Sequence, residues 1–223
     1  KNAFSNHQNW EVAWKDPTPK SEYDVVIIGG GGHGLATAYY LAKEHNIRNV
    51  AIIEKGWIGG GNVGRNTTII RSNFMYDANA RFNEFGMDLW RNLSQELNFN
   101  VMFSPRGIIN LAHSDAQMNA YARRGNSMRL NGIDAKLLDR DEVKKLIPMA
   151  DFSDEVRFPI FGGLMQPSAG TARHDAVAWG YARQADDMGV DIIQHCEVTG
   201  FDVVNGKIKG IRTSRGDIKA KKV

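Results

Sequence analysis

Two groups of residues in this 223-residue chain have the types and spacing to hold a dinucleotide. The first is Gly29, Gly31 and Gly34, at G-x-G-x-x-G spacing, with Glu54 twenty residues beyond Gly34. Gly29 permits a tight turn, Gly31 lets the backbone approach a pyrophosphate, and Gly34 lets a helix pack closely on its strand. The N–H groups and positive dipole end at the start of that helix suit phosphate. Glu54 suits the hydroxyls of a ribose. The second group is a loop with five glycines in nine residues, Gly56, Gly59, Gly60, Gly61 and Gly64. Such density argues for close backbone approach to a ligand. Asn62, Arg65, Asn66, Thr67 and Thr68 supply donors there, and Ile69 and Ile70 can wall a ring.

These residues need particular elements to position them. The apolar run Tyr23 to Ile28 reads as a strand entering the glycine turn, Leu35 to Lys43 as the helix leaving it, and Val50 to Ile53 as a second strand ending at Glu54. That is a β-α-β unit. Helices are expected over Asp77–Leu97, with Phe82, Phe85, Leu89 and Leu93 near one face, over Ala116–Leu130, Asp139–Ile147 and Thr171–Met188. Met102–His113 reads as a strand pair or bent strand around Arg106-Gly107, and Gly162–Gln166, Val190–Gln194 and Glu197–Val203 as strands. Gly206–Val223 reads as short strands around turns at Asn205-Gly206 and Arg215-Gly216. The expected fold class is α/β, a Rossmann-like dinucleotide-binding domain interrupted by an α+β insertion. The expected boundaries are a polar arm over 1–20 containing Trp10 and Trp14, the nucleotide domain over 21–77 and 159–223, and the insertion over 78–158.

A hydrophobic content of 42% and a charged content of 24% are ordinary for a globular chain able to bury a core. No apolar run reaches the roughly 18 residues that a spanning helix needs. Lys1 to Trp14 lacks the apolar stretch of a signal peptide. A lone cysteine, Cys196, excludes an internal disulfide, reads as a small buried hydrophobe, and fits a reducing, cytoplasmic compartment. The net charge of +3 comes from scattered bases, so a nucleic-acid surface is not expected, nor is a membrane or metal site. The charged stretch closing the sequence at Val223 suggests a truncated chain.

The glycine motif with a distal acid does not separate NAD from FAD. A nicotinamide dehydrogenase proceeds through further regular β-α units, whereas a long polar loop follows the second strand here, as suits a flavin dinucleotide. Taken together, Asp24–Ala42 (D-V-V-I-I-G-G-G-G-H-G-L-A-T-A-Y-Y-L-A) and Arg65–Arg71 (R-N-T-T-I-I-R) resemble the D-amino-acid-oxidase-type flavoproteins that oxidise secondary amines. Gln166-Pro167, Ala169-Gly170, His174–Trp179 (H-D-x-V-A-W), Met188–Gln194 and Cys196–Phe201 extend the resemblance to the beta subunits of heterotetrameric sarcosine oxidases, without their C-terminal half.

The resemblance implies non-covalent FAD at Gly29, Gly31, Gly32, His33, Gly34, Glu54, Asn62, Arg65, Thr67, Ile69 and the backbone of Val198. It implies a substrate-carboxylate clamp at Arg71, a job suited to the guanidinium fork. It implies FMN covalently attached to His174. An imidazole near a helix start can attack an activated flavin carbon, and the adjacent Arg173 is expected to steady anionic charge there. Tetrahydrofolate and NAD are implied as cofactors of partner subunits in a hetero-oligomer. The activity implied is oxidation of sarcosine to glycine, with electrons passing from FAD to FMN to oxygen, hydrogen peroxide formed, and the one-carbon unit captured by tetrahydrofolate. Three alternatives stand beside it: a secondary-amine or D-amino-acid dehydrogenase holding FAD alone, a non-catalytic flavoprotein fragment serving as a binding or assembly module, and a nicotinamide dehydrogenase.

Overall fold

A computed structural model describes residues 12–223. In chain order its elements are β1 (Glu22–Ile28), α1 (Gly32–His45), β2 (Val50–Ile53), a 3₁₀ turn (Asn62–Arg65), β3 (Ile69–Ile70), α2 (Asp77–Glu96), β4 (Ile108–Ala112), α3 (Asp115–Leu130), β5 (Lys136–Asp139), α4 (Arg140–Leu146), β6 (Gly162–Gln166), β7 (Gly170–Thr171), α5 (His174–Asp187), β8 (Asp191–Ile193), β9 (Val198–Val204), β10 (Lys207–Thr213) and β11 (Gly216–Lys222). They divide into two units. One holds the chain up to Thr67, Leu97–Val101 and His174–Val223; the other holds Thr68–Glu96 and Met102–Arg173. Trp10 lies outside the described residues.

The first unit is built on a six-stranded sheet of order β8-β2-β1-β11-β10-β9. The first four strands are parallel neighbours, and β10 and β9 continue antiparallel. All four residues of β2 are buried, as a strand covered on both faces requires. Tyr23, Val26, Ala51, Ile53, Ile193, Cys196, Ile211 and Ile218 form one core across the sheet. Helices α1 and α5 pack through Tyr39 and Tyr181, whose rings meet edge-on at 5.4 Å. Leu97–Val101 returns to this unit, and a side chain at Gly180 would meet Leu97 Cδ1 at 3.0 Å. Lys15 N–H donates to Asp186 Oδ1 at 3.1 Å, and Asp16 Oδ1 accepts from Gln194 N–H at 3.0 Å and Arg215 Nη1 at 3.2 Å.

The second unit has a three-stranded antiparallel sheet, β4-β6-β5, and the β3–β7 pair. Ser114 caps α3 by accepting from Gln117 N–H, and Asp139 with Glu142 forms a capping box on α4. Ala80, Met128, Ile133 and Leu164 form one core cluster, and Leu138, Val143 and Ile160 another.

The α/β class is as expected, and Cys196 is buried in the core. Four local readings differ. Helix α5 starts at His174 instead of Thr171, because Gly170 and Thr171 pair with Ile70 and Ile69. The stripe expected to bury α2 is mostly outside: Phe82, Phe85 and Leu89 are exposed, while Ala80, Met87 and Leu93 are buried. Within 102–113 only Ile108–Ala112 forms a regular strand, preceded by a single bridge from Ser104 to Thr171. The last strand is part of the parallel sheet, with Tyr23 opposite Ala220 and Val25 opposite Lys222, beyond the reach of a local reading. The Asn205-Gly206 turn has φ of 51° and 74°, the left-handed pair that a tight hairpin needs.

Tyr23 couples two strands. Its hydroxyl donates to Asp191 Oδ2 at 2.9 Å and accepts from Lys20 N–H at 3.0 Å. Burial above all pushes its phenol up to about 12, with the Lys20 N–H opposing and Asp191 adding to the rise. An unfolded tyrosine ionises near pH 10 (about). The folded value is the higher one, so this stabilisation is complete below that pH and is lost as pH rises towards about 12. Urea titrations of the parent protein will show stability falling through this window, with a smaller fall in Tyr23→Phe; equal falls would refute the coupling.

Candidate functional site

The glycine turn is anchored at both strand ends. Gly29 has φ of +104°, and its N–H donates to Ile53 O at 2.8 Å, tying the end of β1 to the end of β2. A Cβ on Gly34 would lie 2.1 Å from Gly29 O, so the helix can sit this close only with glycine there. A Cβ on Gly30 would strike Ile58 Cδ1 at 2.5 Å. Gly31 is the opposite case: nothing lies within 4 Å of where its Cβ would be. It is the N-cap of α1, with φ −79° and ψ 177°; among the described residues no side chain caps the helix, and the first turn has no acid. His33 is exposed in that turn, and its carbonyl accepts from Thr37 Oγ1 at 2.8 Å.

Glu54 is fixed beside this helix start. Its Oε2 accepts from Gly30 N–H and its Oε1 from Gly56 N–H, both at 2.8 Å. Each carboxylate oxygen keeps a further lone pair for an incoming hydroxyl. The segment Asn62–Arg65 is adjacent, with Val63 Cγ2 3.6 Å from a Cβ built on Gly32. Asn62, Arg65, Asn66 and Thr67 are exposed, and Arg65 has no ion-pair partner among the described residues. The density of glycine in this loop has a reason the sequence did not reveal. A Cβ on Gly64 would lie 2.2 Å from Gly59 O, one on Gly60 2.8 Å from Trp57, and Gly59 has φ of +89°. Those three glycines serve the folding of the loop on itself; Gly61, like Gly31, faces open space.

His195 N–H donates to Gly56 O and Cys196 N–H to Glu54 O, each at 2.9 Å. Val198 follows two residues later, paired with Thr213 and packed on the core. His174 opens α5 in the same unit, and its Nδ1 is buried with no hydrogen-bond partner among the described residues. Arg173 is exposed. Gly29, Gly31, Gly32, His33, Gly34, Glu54, the Asn62–Thr67 loop and the 195–198 segment therefore share one end of the parallel strands, the end at which open α/β sheets take ligands. An uncapped helix start beside an open glycine and a fixed carboxylate fits the pyrophosphate and ribose of a dinucleotide.

Ile69 and Arg71 belong to the second unit. Thr68 has φ of 61° and its carbonyl accepts from Ala172 N–H at 3.0 Å; Ile69 and Ile70 form the short pair with Thr171 and Gly170, and Ile69 is exposed. Arg71 lies in a polar cluster whose other members sequence spacing did not reveal. Its Nη1 donates to Asn73 Oδ1, and its guanidinium stacks 4.9 Å from the Phe74 ring centre. Asn73 is fully buried; its Nδ2 donates to Asn110 Oδ1 at 3.0 Å, and its carbonyl accepts from Arg124 Nε at 2.8 Å and from Nη2. Gln166, also buried, accepts from Ser72 N–H at 3.0 Å and donates to Ser72 Oγ at 2.6 Å. Neither Arg71 nor Arg124 is paired with a carboxylate among the described residues. Burial, and then the neighbouring Arg71, hold the Arg124 guanidinium below the usual arginine range.

The sequence profile of the FAD dependent oxidoreductase family matches residues 24–223. The chain belongs to this family. Among relatives of this FAD-dependent oxidoreductase, sarcosine oxidase subunit beta of Rhizobium meliloti (strain 1021) is 62% identical over 97% of the chain and 52% of the relative. Sarcosine oxidase subunit beta of Arthrobacter sp is 52% identical over 96% of the chain and 53% of the relative. The resemblance read from the motifs thus holds across nearly the whole sequence. The chain spans about half the length of these relatives. Among solved structures, L-proline dehydrogenase from P. horikoshii superposes with a TM-score of 0.83 at 29% identity, covering 92% of this chain and 53% of that one. Among the described residues, no helix is long and apolar enough to cross a membrane.

The two glycines separate folding from ligand binding. Gly34→Ala is expected to destabilise the protein by at least about 2 kcal/mol, the scale of an overpacked or strained core site. Gly31→Ala has room and an ordinary backbone conformation, so the flavin-free protein will lose only the helix-cap preference, about 1 kcal/mol or less in thermal unfolding. Its FAD affinity, measured by equilibrium dialysis, will fall by at least about tenfold, a modest 1.4 kcal/mol. Unchanged affinity in Gly31→Ala would contradict a pyrophosphate approach at this turn.

Proposed function

We propose that this chain is the FAD-holding part of a flavin-dependent sarcosine oxidase, acting with other subunits on a small secondary amine that carries a carboxylate. The observation that carries this reading is the half-buried Arg71 guanidinium, oriented by Asn73 and without an acidic partner among the described residues, in a member of the FAD-dependent oxidoreductase family. Relatives named sarcosine oxidase subunit beta, 52% to 62% identical, support the choice of amine, and the word subunit supports partners.

In this reading the uncapped start of α1, with Gly31, Gly32, His33 and Gly34, receives the pyrophosphate through backbone N–H groups, as helix starts do for anions. Glu54 accepts from ribose hydroxyls. Asn62, Arg65 and Thr67 donate to the remainder of the dinucleotide, Ile69 walls its ring, and the Val198 backbone flanks its adenine half. Arg71 clamps the substrate carboxylate with two charge-assisted hydrogen bonds, which fixes the amine end by geometry. Bound here, FAD would supply the two-electron oxidation of the N-methyl carbon to an imine, FMN would relay the electrons to oxygen to give hydrogen peroxide, and tetrahydrofolate in a partner subunit would take the one-carbon unit. His174 is the attachment point for the FMN: its buried, unpartnered Nδ1 is a polar atom that a further group would satisfy. Arg173 steadies anionic charge on that flavin during attachment. NAD is reserved for a partner subunit, and the compartment is cytoplasmic.

A second reading is an amine dehydrogenase with FAD alone; the superposition on L-proline dehydrogenase supports only its dehydrogenase part. Acid precipitation of the full-length protein separates the two. The sarcosine oxidase reading requires flavin fluorescence in the pellet and FAD in the supernatant, with the pellet signal lost in His174→Ala; a colourless wild-type pellet would leave FAD alone. In steady-state kinetics, Arg71→Ala will raise KM for sarcosine by about 100-fold, the scale of losing a charge-assisted pair. An unaltered KM would remove Arg71 from the substrate site.

A further inference from the structure

We infer that Arg124 is a positioning residue for Arg71 and supplies the second positive charge of the same carboxylate recess. This rests on the reading of Arg71 as the carboxylate clamp and extends it to a residue 53 positions away in the sequence. The physical link is Asn73. Arg124 on α3 donates to its backbone carbonyl from both Nε and Nη2, while the Asn73 side chain accepts from Arg71 Nη1 and donates to Asn110. Asn73 is fully buried, so it cannot turn away without leaving several polar groups unpaired. Two arginines are thereby held around one asparagine. The stacking of Arg71 on Phe74 narrows its freedom further.

The charges facing the pair strengthen the case. Glu84, close by on α2, already accepts from Ser72 Oγ at 2.5 Å and faces Arg91 at 3.5 Å, so it does not neutralise Arg71 or Arg124. Like charges held together and partly desolvated repel each other, and a bound anion relieves that cost. Each arginine therefore improves anion binding beyond its own hydrogen bonds. A simple structural tie between α3 and the 71–75 segment does not require the guanidinium, because Ser127 Oγ already donates to Met75 O at 2.9 Å.

The test is calorimetric titration of the full-length, flavin-loaded protein with methoxyacetate, a carboxylate in which an ether oxygen replaces the amine of sarcosine. Arg124→Gln is expected to weaken methoxyacetate binding about tenfold and to raise KM in step, with kcat changed less than about twofold; Arg124→Lys, which keeps charge but loses the fork, will weaken binding about threefold. Ser127→Ala, which removes only the tie, will bind methoxyacetate as the wild type does. If Arg71→Ala abolishes binding while Arg124→Gln binds normally, the role of Arg124 is overturned and the clamp stands. If Arg71→Ala itself binds normally, the clamp reading fails. Should Arg124→Gln not fold, Arg124→Lys decides: the threefold loss supports the inference, and wild-type affinity overturns it.

Discussion

Helix α1 sits tightly against the turn that precedes it. At Gly34 a single methyl group would lie 2.1 Å from the carbonyl oxygen of Gly29. That contact sets where the helix begins relative to β1. It leaves the helix start uncapped and directed beyond the strand ends. The positions of Glu54, the loop after it and the 195–198 segment follow, since each is hydrogen-bonded or packed to this corner.

Two kinds of glycine coexist there, and they differ in what fills the space beside them. Gly30, Gly34, Gly60 and Gly64 are crowded by the protein's own atoms. Gly31 and Gly61 face open space. The crowded ones permit the fold; the open ones permit approach from outside. Glycine content alone does not distinguish these roles, which is why the glycine-rich loop looked more uniformly devoted to a ligand than it is.

Much of the nucleotide unit was legible in sequence because its signals are local. A strand, a G-x-G-x-x-G turn, a helix and an acid at fixed spacing lie within 23–54, and the structure brings them together as β1, α1, β2 and Glu54. What was not legible depended on distant partners. The sequence pattern starts a helix at Thr171, but Thr171 and Gly170 pair with Ile69 and Ile70 as a strand. Phe82, Phe85 and Leu89 sit at helical spacing, yet periodicity does not say whether a face is covered. β11 joins β1 across nearly the whole sequence. The surroundings of Arg71 were hidden for the same reason: Asn73 is a neighbour in sequence, but Asn110 and Arg124 arrive on β4 and α3.

The most direct measurement of the central claim is a crystal structure of the full-length protein with FAD bound. The account predicts pyrophosphate oxygens within about 2.7–3.2 Å of backbone N–H groups in the segment from Gly31 to Gly34, and a ribose hydroxyl at the same distance from the Glu54 carboxylate. A pyrophosphate bound away from the start of α1, with Glu54 making no contact to the ribose, would contradict it.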